Sequence, residues 1–237
     1  MSTGLVNQTF FTPSPGMGSG LGDTIVSGMP PTAEMRQERG NRRAEYLLVI
    51  YPYGELHDKL LDEQQQFSSD YGLQITVRNK PHITVAAFQV SEVMEETLIR
   101  WIQRICHRHR SFDITLNNYS GFPPHTIYLR VQDPKPFREL MQQLRAIDDF
   151  IRSSGCPPVN LVNRPYLSIA GGLTEQLYNK AMPDYSRKTF HESFQVNELV
   201  LLKREHTFDP CKTVNIFRLL PDGGEPGQSP AWALPHL

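Results

Sequence analysis

The chain has few cysteines, no surplus of either charge and no long apolar run, and each shortage removes a class of function. Cys106, Cys156 and Cys211 are its three cysteines. They are odd in number and scattered, which argues against a disulfide framework and suits a reducing compartment. Lys and Arg together number 24 against 25 Asp and Glu, a net charge of −1. A protein that grips a long stretch of duplex by its phosphates carries a basic excess. Without one, an extended duplex is not an expected partner, and any nucleic-acid contact should be short. No apolar stretch approaches the ~20 residues that span a bilayer, and the N-terminus shows no basic segment followed by an apolar run. A cytoplasmic monomer with no membrane partner is expected.

Organisation follows from composition and period. Residues 1–44 and 221–237 are rich in Gly, Pro, Ser and Thr and poor in large apolar side chains. Such segments bury too little surface to offset their ordering entropy, so both are expected to be disordered and the folded domain to run over 45–220. There the apolar period alternates between strand-like and helix-like. Strands are expected at 46–51, around His82 and Thr84, and at 112–116, 126–131, 194–203 and 213–219, with a further one at Tyr166 and Ser168. Helices are expected at 55–71, 92–108, 136–151 and 174–182. In the second helix Met94, Leu98, Trp101, Ile102 and Ile105 form the inner face; in the third, Phe137, Leu140, Met141, Leu144 and Ile151.

An eight-residue phrase occurs twice. Residues 79–86 read N-K-P-H-I-T-V-A and residues 163–170 read N-R-P-Y-L-S-I-A. Three positions are identical, four exchange within a chemical class, and only His82 against Tyr166 departs. A self-match of this kind marks a duplicated unit. The expected fold is therefore α+β, with two β-α-β-α-β lobes, about 45–123 and 124–220, related by a pseudo-two-fold axis and lining a central cleft with antiparallel-rich sheets. In a strand, residues i and i+2 share a face. His82 projects with Thr84, and Tyr166 with Ser168, while Lys80 and Arg164 stand just upstream. An imidazole, a phenol and two hydroxyls can cradle a phosphoryl group and move a proton near neutral pH. Tyr51 and Tyr53 could stack on a base, although packing on the following helix explains them as well. Cys106, His107 and His109 do not converge on one face, so no metal is expected, and no motif points to a cofactor. His125 precedes the strand at 126–131 and Arg130 stands near its end, neither with an assigned role, and His191 and His206 carry no signal.

The paired H-x-[T/S] strands in a duplicated scaffold resemble the 2H phosphoesterase superfamily, in particular its 2′-5′ RNA ligase/cyclic phosphodiesterase-like branch, over residues 45–220. The resemblance implies that one histidine is a general base on water or a hydroxyl and the other a general acid on the leaving oxygen. It also implies that the Thr and Ser hydroxyls hold the phosphate, that no metal is required, and that the partner is a nucleotide or RNA end. His82 matches the first histidine, Thr84 the first hydroxyl and Ser168 the second. Tyr166 departs from the pattern. A phenol titrates near 10 against about 6.5 for imidazole, so serving as base would need a shift worth about 4 kcal/mol. Losing one of two proton carriers commonly costs ~10²–10⁴ in rate. Two outcomes stay open: a weakened or redirected phosphodiesterase with Tyr166 as acid, or a non-catalytic module that binds nucleotides or RNA ends.

Overall fold

The computed structural model describes residues 42–72, 80–206 and 209–221. The expected disordered segments, apart from Arg42–Ala44 and Pro221, lie outside the described residues, as does Asn79. The element order is β1 (Arg43–Ile50), α1 (Glu55–Tyr71), β2 (Ile83–Ser91), a 3₁₀ turn (Glu92–Met94), α2 (Glu95–Cys106), β3 (Phe112–Phe122), β4 (Thr126–Val131), α3 (Lys135–Ser153), β5 (Asn160–Leu161), β6 (Tyr166–Ala170), α4 (Glu175–Tyr185), β7 (His191–Val196), β8 (Glu198–Arg204) and β9 (Lys212–Arg218). Strand β1 begins before residue 45 because Ala44 is buried and pairs with Val90. None of these helices is long and apolar enough to cross a membrane.

The strands form one sheet in the order β7-β3-β4-β6-β2-β1-β8-β9, with β5 paired to β2 beside this path. Its midline is the contact of β2 with β6, where Ile83 lies opposite Leu167. These are counterparts in the repeated phrase, so the pseudo-two-fold axis passes between them. Flanking pairs obey the same symmetry. Ile83 lies against Ile50 and Leu167 against Leu129. The ladder slips once within each copy, where the partner strand passes between Leu48 and Val49 and between Ile127 and Tyr128. Val85 and Ile169 absorb the slips as bulges, which is why Val85–Ala86 and Ile169–Ala170 are each buried in succession.

The sheet corrects the expected lobes in one respect. Strand β3 pairs with β4 and β7, in the half that holds β6, while β8 pairs with β1. Each half is completed by a strand from the other repeat. The tight turn between Phe122 and Thr126 makes β3 and β4 a hairpin, so β3 must lie beside β4. The single strand expected over 194–203 is broken at Asn197, and its two parts, β7 and β8, lie in opposite halves. Arg204 forks onto Glu45 at 2.7 and 2.8 Å and ties β8 to β1.

Local signals set the helix ends. Gly72 closes α1 in the left-handed region at φ 64°, donating its N–H to the Ser68 carbonyl. Thr174 caps α4 by accepting from the Leu177 N–H at 3.3 Å. The inner face expected for α3 is buried throughout. In α2, Trp101 is instead 36% exposed and stacks on Phe150 at 5.6 Å. Leu98, Ile102 and Cys106 fill the face against the core, leaving the indole on the rim between α2 and α3. Ile83 and Leu167 are fully buried at the midline. Leu167→Ala is expected to lower unfolding stability by about 2–5 kcal/mol in urea titration; a loss below about 1 kcal/mol would contradict a packed midline.

Candidate active site

The site is built by carrying the midline register one residue either way. Ile83 opposite Leu167 places His82 against Ser168 and Thr84 against Tyr166. Alternation turns these four side chains to the face opposite the buried pair, and all four are half-buried. From Pro81 to Ala86 and from Pro165 to Ala170 the alternation of buried and half-buried residues is identical. His82 and Tyr166 are therefore diagonal neighbours, a spacing of about 7–8 Å in antiparallel sheet, with a hydroxyl directly across from each. No hydrogen bond between described residues engages the Thr84, Ser168 or Tyr166 hydroxyls, which leaves them open to a ligand.

His82 has a defined tautomer. Its Nδ1 lies 2.8 Å from the Lys80 carbonyl oxygen. A carbonyl only accepts, so Nδ1 carries the proton and Nε2 keeps its lone pair. Burial pushes the imidazole pKa below its usual value, with the Lys80 carbonyl opposing. At neutral pH the ring is an uncharged base. The Tyr51 ring meets it edge-on at 6.0 Å, and burial, with Cys211 adding to it, raises the Tyr51 phenol.

Tyr166 sits in a different environment. It packs against Tyr128 at 5.0 Å and edge-on against Phe122 at 5.1 Å, and those two rings stack at 4.4 Å. Burial, then the neighbouring Tyr128, raises its pKa above the ordinary phenol value. The phenol keeps its proton at any physiological pH and can donate but not abstract. Behind it, Gln64 of α1 donates to the Ser168 carbonyl at 3.1 Å and pins β6.

The structure brings His82, Thr84, Tyr166 and Ser168 onto one face, and it leaves Lys80 and Arg164 exposed at the margin. Residues 163–165 bow out between β5 and β6, since Val162 still bonds to Val85 while Leu167 already faces Ile83. Arg164 rides on that excursion. Lys80 contributes its backbone carbonyl to His82. Tyr53 is 56% exposed and Tyr51 lies beside the imidazole. Tyr128 and Arg130 lie directly opposite Ser168 and Tyr166. Sequence reasoning gave Tyr128 no role and left Arg130 unassigned, because cross-strand neighbours depend on a β4–β6 register that no local motif encodes. Among the described residues no three His, Cys, Asp or Glu side chains converge as metal ligands.

Comparison with known proteins agrees with this architecture. Escherichia coli LigT in its apo form superposes with a TM-score of 0.55 at 16% identity, over 76% of this chain and 99% of that one. LigT complexed with 3′-AMP gives 0.54 at 17% identity, over 75% and 99%. TT0787 of Thermus thermophilus gives 0.58 at 13% identity, again over 75% and 99%. At such identities the likeness shows the fold alone. No curated protein matches the sequence. Residues 56–207 match the profile of the 2′-5′ RNA ligase superfamily, and the chain belongs to that family.

Proposed function

We propose that the protein performs metal-independent phosphodiester chemistry on a nucleotide or RNA end, opening a 2′,3′-cyclic phosphate with His82 as general base and Tyr166 as general acid. The observation that carries the reading is the Lys80 carbonyl on His82 Nδ1, which leaves Nε2 as the proton acceptor. LigT has been seen with 3′-AMP and with phosphate at TM-scores of 0.54 and 0.52, which supports a nucleotide phosphate as the ligand. In the forward step Nε2 takes a proton from water as the water oxygen bonds to phosphorus. The bond from phosphorus to one ribose oxygen breaks, and the Tyr166 hydroxyl supplies that oxygen's proton. The phenolate then recovers a proton from solvent and His82 releases its own. The Thr84 and Ser168 hydroxyls donate to the non-bridging oxygens. A departing alkoxide is more basic than a phenolate, so proton transfer from Tyr166 is favourable once that bond stretches, even with the phenol pKa raised.

The packing of Tyr166 between Phe122 and Tyr128 favours a second reading, in which the cradle binds the same phosphate without turning it over. The two readings separate by experiment. In EDTA, His82→Ala is expected to lower kcat on a 2′,3′-cyclic nucleotide by ~10²–10⁴; turnover at the parental rate would remove His82 from the mechanism.

The two proton carriers also set a distinctive pH profile. His82 must be neutral, and burial lowers its pKa, so activity rises through a value below 6.5 and is complete above it. Tyr166 must be protonated, and burial raises its pKa, so activity falls only above 10. The rate should stay flat from near neutrality to about 10, whereas a bell centred near neutrality would contradict the assignment. Tyr166→His should raise hydrolysis and bring the alkaline fall down toward neutral pH. Tight phosphate-dependent binding with no turnover in either protein would favour the binding module.

A further inference from the structure

The two directions leading away from the phosphate cradle differ in kind. Toward β1, Thr84 is followed across the sheet by Val49 and then Val200. Both are buried, and they pack with Leu202 and the half-buried Leu47, Tyr51 and Cys211 into an apolar cluster. Toward β4, Tyr166 is followed by Arg130, then Asn117, then His191. Arg130 and His191 are exposed and Asn117 is half-buried. A substrate whose reacting phosphate sits between His82 and Tyr166 meets apolar side chains over Val49, which offer a charged chain no polar partner. The exposed polar row over β4 and β3 suits its remainder.

Arg130 stands at the first step in that open direction. Its Nε donates to the Asn117 carbonyl at 3.3 Å, which turns the guanidinium toward β3 and away from the reacting centre. No carboxylate pairs with it among the described residues, and its Nη groups make no hydrogen bond there. Across the pseudo-two-fold axis its counterpart is Tyr51, the ring beside His82. The cation is therefore a departure from the duplicated plan, on the side where a substrate can run on. Strands lie about 4.8 Å apart, so a side chain on β4 is one step beyond the Tyr166 hydroxyl. The neighbouring phosphate in a nucleotide chain lies roughly 6–7 Å from the reacting one, within the combined span of one strand step and an arginine side chain, and a guanidinium with free Nη groups binds a phosphodiester through paired N–H donors.

We propose that Arg130 receives the phosphodiester next to the reacting one, so that the substrate is the end of an oligonucleotide and a dinucleotide is the shortest full ligand. The inference rests on the phosphodiester reading above and deepens it. Beyond Arg130 the face turns acidic, with Asp113 and Asp133 beside His191 at the edge of the sheet. These carboxylates repel a third phosphate, so the subsite holds one.

The test uses the full chain and two substrates, a 2′,3′-cyclic mononucleotide without a 5′-phosphate and a dinucleotide ending in the same cyclic phosphate. Arg130→Ala should lower the ratio of dinucleotide to mononucleotide kcat/KM roughly tenfold, as expected for loss of one charge-assisted contact. The slope of log KM for the dinucleotide against log salt should become shallower. Arg130→Lys should keep that slope while losing part of the affinity. Extending the parental substrate to a tetranucleotide should bring no further gain. An unchanged ratio in Arg130→Ala, or a steady gain with length, would overturn the subsite. If the parent turned over neither substrate, the catalytic reading would fail separately. The same pair ending in a 3′-phosphate, measured by equilibrium binding, would then decide, with a selective loss of dinucleotide affinity in Arg130→Ala supporting the subsite and equal loss or none overturning it.

Discussion

Where β2 meets β6, Ile83 packs opposite Leu167, and the two are counterparts in a repeated phrase. That coincidence governs the rest of the structure. In an antiparallel pair the residues flanking such a contact must also face their counterparts' neighbours, so each copy's aromatic side chain falls beside the other copy's hydroxyl. The arrangement needs no loop to assemble it. Rigid strands hold it, and the buried side of the midline keeps it from slipping, because a slip of one residue would turn Ile83 and Leu167 to solvent.

The duplication is also what makes the asymmetry informative. Both copies share the same bulge, the same proline and the same alternation of burial, so the backbone treats His82 and Tyr166 alike. Their surroundings do not. One ring holds a proton on Nδ1 against a backbone carbonyl and is kept neutral by burial. The other is packed among aromatics that keep its hydroxyl protonated. Burial thus moves the two pKa values apart, down for His82 and up for Tyr166. Beyond the cradle the halves diverge further, into an apolar cluster on one side and an exposed guanidinium on the other.

The repeated phrase was legible because identity in sequence became pairing in space. Helix α3 was legible because its apolar period is strong, and its inner face is buried as read. What escaped depends on relations no segment contains by itself. The exchange of β3 and β8 between halves follows from a tight hairpin at one and a one-residue break at Asn197 before the other. Trp101 has the right period for the inner face, yet Leu98, Ile102 and Cys106 occupy that face and the indole goes to the rim. The tautomer of His82 hangs on the carbonyl of Lys80, a residue singled out for its side-chain charge. Arg130 and Tyr128 became neighbours of the site only through the β4–β6 register.

The chemistry proposed for the site requires His82 to be a neutral imidazole with Nε2 free, facing the position of a substrate phosphate. Nitrogen-15 NMR of the histidine-labelled protein tests it most directly. Expected are an Nδ1–H tautomer for His82, titration below 6.5, and an upward move of that pKa when 3′-AMP places an anion beside the ring. An Nε2–H tautomer, or a His82 signal indifferent to the nucleotide, would contradict it.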